Sequence, residues 1–343
     1  MFSLRDKFVK AHPGIAEQLM SSDYDFLRTN EHLGDRIILL GLGGSHAYGT
    51  NVEGSDIDIR GITLNSREEI LGLSSFEQFQ NTATDTVVYS VQKVFPLLMA
   101  CNPNIIEMLG LRDEDYAILT PQGKMLLDNA RLFLSKKAAG SFGGYANAQL
   151  RRIQTATARD RLPEADQRKF IKNSMKNALD ALEHTKGYSP YGSLDIDVRE
   201  DDIVIDLSFK GLPIGTFIDM MNATKQVKDE YRKGAGNRNH KKDDAHLNKH
   251  AMHLIRLYKM GIEILRDEKI HTYRDEDHDL LMDIRNGKFM KDDGVFSEEF
   301  YELVDKLENE LKKAVATSKL PKRVDLQAVE KLLMDIQEQS LKL

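Results

Sequence analysis

The chain has 343 residues, 41% of them hydrophobic and 30% charged, with a formal net charge of -6. That length can hold two domains around separate cores, and the composition is ordinary for a soluble globular protein. The acidic balance excludes global attraction to nucleic acid, so a nucleic-acid partner must be met by local basic patches, as in an enzyme that grips one RNA end.

The charged N-terminal stretch, residues 1–7, has no apolar signal core. No segment has the length of a membrane span, so a cytoplasmic protein without a membrane partner is expected. From about Arg36 to Leu111 the chain alternates strands and helices. A strand-like run, Ile37-Ile38-Leu39-Leu40-Gly41, opens into Gly43-Gly44-Ser45. A second strand follows in Ser55-Asp56-Ile57-Asp58-Ile59-Arg60-Gly61. Successive side chains of a strand point to opposite faces, so Asp56 and Asp58 share one face while Ile57 and Ile59 anchor the other in a core. Arg60, one step past Ile59, is expected on the face opposite the aspartates.

Ser66-Arg67-Glu68-Glu69 is a capping box that starts a short helix. Asp85-Thr86-Val87-Val88-Tyr89 has the β-branched and aromatic residues that strands favour. It passes into a helix from Val91 to Cys101, which Asn102-Pro103-Asn104 ends. Cys101 reads as core packing, and as the single cysteine it excludes an intrachain disulfide or a multi-cysteine zinc site.

Beyond Pro121 helices dominate, with spans expected at Asp128–Thr155, Glu164–His184, Leu247–Arg266, Ser297–Ala316 and Leu326–Leu341. One hairpin interrupts them, built from Leu194–Val198 and Ile203–Leu207. It carries a second Asp-x-Asp, Asp195 and Asp197, but no glycine-serine loop precedes this pair, and it reads as the solvated face of the hairpin. Domains are expected at 1–120, a catalytic core, and 121–343, a mostly helical domain completing the nucleotide and acceptor cleft.

Paired carboxylates on a rigid strand facing a Gly-Ser loop suit Mg²⁺, or Mn²⁺, carrying a nucleoside triphosphate (NTP). Nucleotidyl transfer needs a triphosphate held in line with an attacking hydroxyl, and metals that absorb charge. Backbone amides at Gly44 and Ser45 can approach the phosphates because Gly44 has no side chain, and Ser45 adds a hydroxyl. Asp56 and Asp58 then hold the metal. Asp85 is the first candidate for a third carboxylate, as metal ligand and general base, with Glu77 and Glu107 as alternatives.

His46 and Tyr48 lie where they can touch phosphate or base, or pack locally. Lys249, His253 and Arg256 fall at i, i+4 and i+7 of one helix, a stripe suited to phosphate or to solvent. His250 adjoins that stripe, but no third nitrogen or sulfur ligand supports a zinc site. Lys172 and Lys176 form a similar pair. The basic, glycine-containing segment Arg232–Lys242 reads as a loop that closes over nucleotide or nucleic acid, or stays solvated.

Together these residues resemble the DNA polymerase β-like nucleotidyltransferase superfamily and, more narrowly, the RlaP family associated with RNA repair. The resemblance rests on Gly44-Ser45-His46-Ala47-Tyr48-Gly49-Thr50 and Ser55–Gly61. It extends to Asn102-Pro103-Asn104 with Glu107, Lys249-His250 with His253–Arg256, and Ile284-Arg285-Asn286-Gly287. It implies an α+β fold: a small mixed-sheet nucleotidyltransferase core followed by a mostly helical region with one β-hairpin. It also implies Mg²⁺ dependence, with Asp56 and Asp58 as metal ligands, and an RNA-repair setting.

The expected reaction moves NMP from an NTP to a hydroxyl, an RNA 3′ end, releasing pyrophosphate. A protein or small-molecule hydroxyl is the alternative acceptor. A non-catalytic nucleotide- or RNA-binding module is the alternative from another class, and the paired carboxylates argue against it.

Overall fold

The computed structural model describes residues 2–200, 202–236 and 244–341. Its larger sheet has five strands: β1 (Ile37–Leu42), β2 (Ile59–Thr63), β3 (Gln78–Asn81), β4 (Thr86–Ser90) and β5 (Tyr116–Leu119). Their order is β3-β4-β2-β1-β5. β2 and β4 run parallel and every other neighbouring pair is antiparallel, so the sheet is mixed and the fold α+β, as expected. β1 is buried along its whole length, which is why it reads as an unbroken apolar run and not as an alternation.

By packing, the chain forms two compact units. One comprises residues 1–148, 252–286 and 299–343, and the other 149–251 and 287–298. The boundary expected after residue 120 falls inside the opening segment of the first unit. In that unit Leu40, Leu42 and Ile59 from the sheet join Phe8, Leu19, Tyr24 and Leu27 from the N-terminal helices in one core, with Ile57 packed against it. Ile57 and Ile59 are thus the anchors their alternation implies.

The second unit is built on helices Glu164–Lys186 and Ile214–Gly236 and a hairpin of β6 (Gly192–Arg199) with β7 (Asp202–Phe209). Its core gathers Leu179, Tyr188, Ile196 and Met220. Lys176 Nζ lies 2.9 Å from Asp195 Oδ1, and Lys172 Nζ lies 3.3 Å from Asp197 Oδ1. The second Asp-x-Asp and the Lys172/Lys176 pair therefore neutralise one another. Hydrogen bonding to Lys176 holds the Asp195 carboxyl below its ordinary range. The backbone N–H of Val198, then Lys172, does the same for Asp197.

Several boundaries differ from expectation. The helix expected over Asp128–Thr155 begins only at Lys137 and runs to Arg161, and Pro121–Asp128 is a separate helix ahead of it. The break comes at Asn129, whose side-chain Nδ2 donates to the Met125 carbonyl at 2.9 Å and closes the first helix. The helix after β4 ends at Met99, and Cys101 follows with φ +51°, buried against Phe133. Helices Ile214–Gly236 and His278–Arg285 were not anticipated. The segment Arg232–Lys242, read as a loop, begins as the end of helix Ile214–Gly236, and its remainder lies outside the described residues. The capping box is present as read: Ser66 and Glu69 each accept from the other's backbone N–H.

Candidate active site

The site is assembled at the end of β1. Gly43 leaves the strand and caps a short helix, Gly44–Tyr48, that closes on Gly49 in the left-handed conformation. The expected Gly-Ser loop is therefore the first turn of a helix. Gly44 has φ +54°, and a Cβ there would lie 1.8 Å from Asp58 Oδ2. Glycine is required twice over, by backbone conformation and by the carboxylate seated against it. The Gly43 N–H donates to the Asp58 carbonyl at 2.8 Å, which extends the β1–β2 pairing by one step.

Asp56 and Asp58 lie just ahead of β2, which begins at Ile59. Asp58 is half-buried and Asp56 exposed. Asp85 immediately precedes β4, and because β4 pairs in parallel with β2, the ends carrying Asp58 and Asp85 are adjacent. Ile59 N–H donates to the Asp85 carbonyl at 3.2 Å.

Arg60 does not face away from the aspartates. Asp58 and Arg60 are two positions apart, so along extended backbone their side chains point the same way, whereas Asp56 and Asp58 lie outside the strand expected to carry them. Its Nη2 lies 3.1 Å from Asp58 Oδ1 and 3.1 Å from Asp85 Oδ1.

Behind the turn, Tyr48 is buried with its hydroxyl 2.9 Å from both carboxylate oxygens of Glu107. The Arg256 guanidinium stacks on the Tyr48 ring, 3.7 Å from Cζ to centroid, and its Nη1 lies 3.3 Å from Glu107 Oε2. Burial pushes the Glu107 carboxyl and the Tyr48 phenol above their ordinary values, with the Arg256 charge opposing both shifts. His253 meets the Tyr48 ring edge-on, 6.2 Å between centroids.

Arg256 is therefore a buried partner of Glu107 and Tyr48 and presents no free cation, whereas Lys249 is exposed and belongs to the second compact unit. Of the alternative carboxylates, Glu107 is engaged in this buried cluster, and Glu77 pairs with Lys93 at 2.7 Å. His250 Nδ1 lies 2.9 Å from Gln149 Oε1.

Three further residues hold the turn and were not singled out individually from sequence. Tyr273 packs so close to Gly49 that a Cβ there would lie 2.4 Å from its ring. The Arg274 N–H donates to the Tyr48 carbonyl at 3.0 Å, while the Arg274 guanidinium is buried with Glu263 and Asp277. Arg285 Nη1 donates to the Thr50 carbonyl at 2.7 Å and its Nη2 reaches Ser55 Oγ at 3.5 Å, tying down the loop before Asp56. Only Arg285 carried a signal, as part of Ile284–Gly287.

Two observations bear on ligands. Among the described residues no three His, Cys, Asp or Glu side chains converge as a metal-ligand set. Asp58 and Asp85 nevertheless converge on one positive nitrogen, and a hard cation such as Mg²⁺ uses one or two carboxylates, completing its shell with water and substrate phosphate. The donor set fits such an ion. Within the turn itself, His46 Nε2 and Thr50 Oγ1 are buried without a hydrogen-bond partner among the described residues.

A mixed sheet with a glycine-serine turn leaving one strand, and an Asp-x-Asp entering its antiparallel neighbour, is the arrangement of the polymerase β-like class. The model of the RNA repair pathway DNA polymerase beta family, RlaP, matches residues 19–181, just under half of the chain. The span includes the turn, all three aspartates, Arg60 and Glu107. No curated protein and no solved structure matches the chain.

Proposed function

We propose that this protein is a metal-dependent nucleotidyltransferase that moves NMP from an NTP to a hydroxyl, an RNA 3′ end, with release of pyrophosphate. The single observation that carries this reading is the seating of Asp58 against Gly44, with Asp85 brought alongside by the parallel β2–β4 pair. The turn supplies the backbone N–H groups of a helix's first residues beside the Asp58 carboxylate, which a metal-carrying triphosphate would meet together. His46 Nε2 and Thr50 Oγ1 are polar groups within the same turn that a bound nucleotide can satisfy.

Mg²⁺ or Mn²⁺ would be held by Asp58 and Asp85, with the exposed Asp56 as a further ligand, and when bound it would supply charge neutralisation for the triphosphate. Asp85, the more exposed of the inner pair at 55% against 19% for Asp58, would accept the proton of an incoming hydroxyl. Tyr48, Glu107 and Arg256 hold the turn from behind, Arg285 holds the loop ahead of Asp56, and neither set needs to touch the nucleotide. The RNA acceptor is supported by the repair-pathway family that matches residues 19–181.

The test is incubation with each of the four α-³²P-labelled NTPs, total RNA and Mg²⁺ or Mn²⁺, with protein and small-molecule pools as parallel acceptors. Label in RNA is expected, and Asp58→Asn is expected to abolish it with an unchanged circular dichroism melt. Full activity in Asp58→Asn sinks the assignment, and label appearing only in protein or small molecules replaces the acceptor.

A further inference from the structure

Nothing in the transfer chemistry above uses Arg60, yet its guanidinium sits between Asp58 and Asp85. Two carboxylates brought side by side repel, and here one nitrogen donates to an oxygen of each, at 3.1 Å in both cases. The other terminal nitrogen donates to the Ile59 carbonyl at 3.0 Å and to the Asp85 carbonyl. Arg60 thus grips Asp85 by side chain and backbone together, at a residue whose φ of +42° is unusual for any residue but glycine. Room for this is built in: a Cβ on Gly43 would lie 3.0 Å from Arg60 Cγ and 3.2 Å from Asp58 Cβ. The arginine side chain keeps 21% exposure, so water screens it only in part.

The lone pairs that Nη2 uses are those a divalent cation needs, so guanidinium and metal compete for Asp58 Oδ1 and Asp85 Oδ1. A planar guanidinium that gives up carboxylates on this face of the sheet finds its best replacement in a phosphate, which offers oxygens in matching geometry. We infer that Arg60 is the resident counter-ion of the Asp58–Asp85 pair and exchanges these carboxylates for the triphosphate as the divalent cation binds, making metal and NTP binding cooperative. This deepens the nucleotidyl-transfer reading and rests on it. Metal alone must displace a fixed charge, whereas metal and triphosphate together offer that charge a new partner.

Mn²⁺ binding followed by electron paramagnetic resonance tests this, with and without the α,β-methylene analogues of the four NTPs. Arg60→Met is expected to bind Mn²⁺ alone at least about threefold tighter and the analogues more weakly, so that the gain in Mn²⁺ affinity on adding analogue shrinks. Arg60→Lys keeps the charge but not the span across both carboxylates and two carbonyls. It is expected to behave like Arg60→Met, and it carries the test should Arg60→Met fail to fold. Wild-type Mn²⁺ affinity in both variants overturns the inference, as does a wild-type Arg60→Lys beside an altered Arg60→Met, since that pattern reports charge alone. Mn²⁺ affinity insensitive to Asp58→Asn removes the metal site itself, and with it the transfer reading.

Discussion

At the scale of single residues, Asp85 holds the most information. Left-handed backbone is tolerated by Asp better than by most residues, yet it costs of order 1 kcal/mol and persists only where surrounding contacts over-determine it. Here those contacts come from Ile59 N–H and Arg60. Glycine adopts this conformation freely, so Asp85→Gly is expected to leave stability in urea within about 1 kcal/mol of wild type, in either direction. Transfer, by contrast, should fall at least about a hundredfold in single-turnover assays, as for loss of a general base. A mutant both stable and fully active would return Asp85 to the role of an ordinary loop aspartate. Sequence alone made Asp58 and Gly44 legible because period two and a glycine requirement are local rules. The same rule also places Arg60 beside Asp58. Arg274 was not legible, since the contact of its N–H with the Tyr48 carbonyl depends on tertiary packing that no spacing encodes.

At the scale of elements, the short helix Gly44–Tyr48 has too few residues to stand alone and is held by what packs on its end. Glu107 and Arg256 are 7% and 4% exposed, so removing one strands the other's charge in the interior. Glu107→Ala is expected to cost about 3–5 kcal/mol in urea unfolding, and the double change Glu107→Leu with Arg256→Met much less. Equal losses in the single and double variants would show that the pair is not coupled.

The neighbouring Asp277 gives a pH signature. Burial pushes its carboxyl up, but Arg274 and Lys259 outweigh this and hold it below the ordinary range. A depressed carboxyl contributes stability that is present above its unfolded pKa and lost as pH falls through its folded one. Between about pH 5 and pH 2 the wild-type urea midpoint should therefore decline more steeply than that of Asp277→Asn. Glu107 has the opposite sign: burial raises it, so its contribution is full below the ordinary carboxylate pKa and lost as pH rises through its folded value. Parallel slopes in the two proteins would remove Asp277 from the account.

At the scale of the whole molecule, two Asp-x-Asp pairs occur, one in each compact unit. Alternation is the same in both, and what separates them is the partner each finds. Asp195 and Asp197 meet lysines of a neighbouring helix, whereas Asp58 meets a glycine turn and a second strand end. The double variant Asp195→Asn with Asp197→Asn is accordingly expected to retain transfer within about twofold, measured by the same label incorporation. A loss as large as that of Asp58→Asn would bring the hairpin into the chemistry. Strands β1 and β4 and the capping box were readable because they obey short-range patterns, whereas β5, which pairs with β1, carries no such signal. The division into units was not readable, because segments far apart in the chain make up each one, and only contacts reveal that.

That discontinuity also sets an order of events during synthesis. Glu107 is separated from its partner Arg256 by 149 positions, and Arg274 and Arg285 come later still. The strands, the turn and the aspartates leave the ribosome well before the residues that secure them, and contacts so distant in sequence form late. A nascent or truncated chain thus carries the acidic residues with Glu107 still lacking its guanidinium and the turn unpinned. The turn is therefore fully pinned only once translation has passed Arg285.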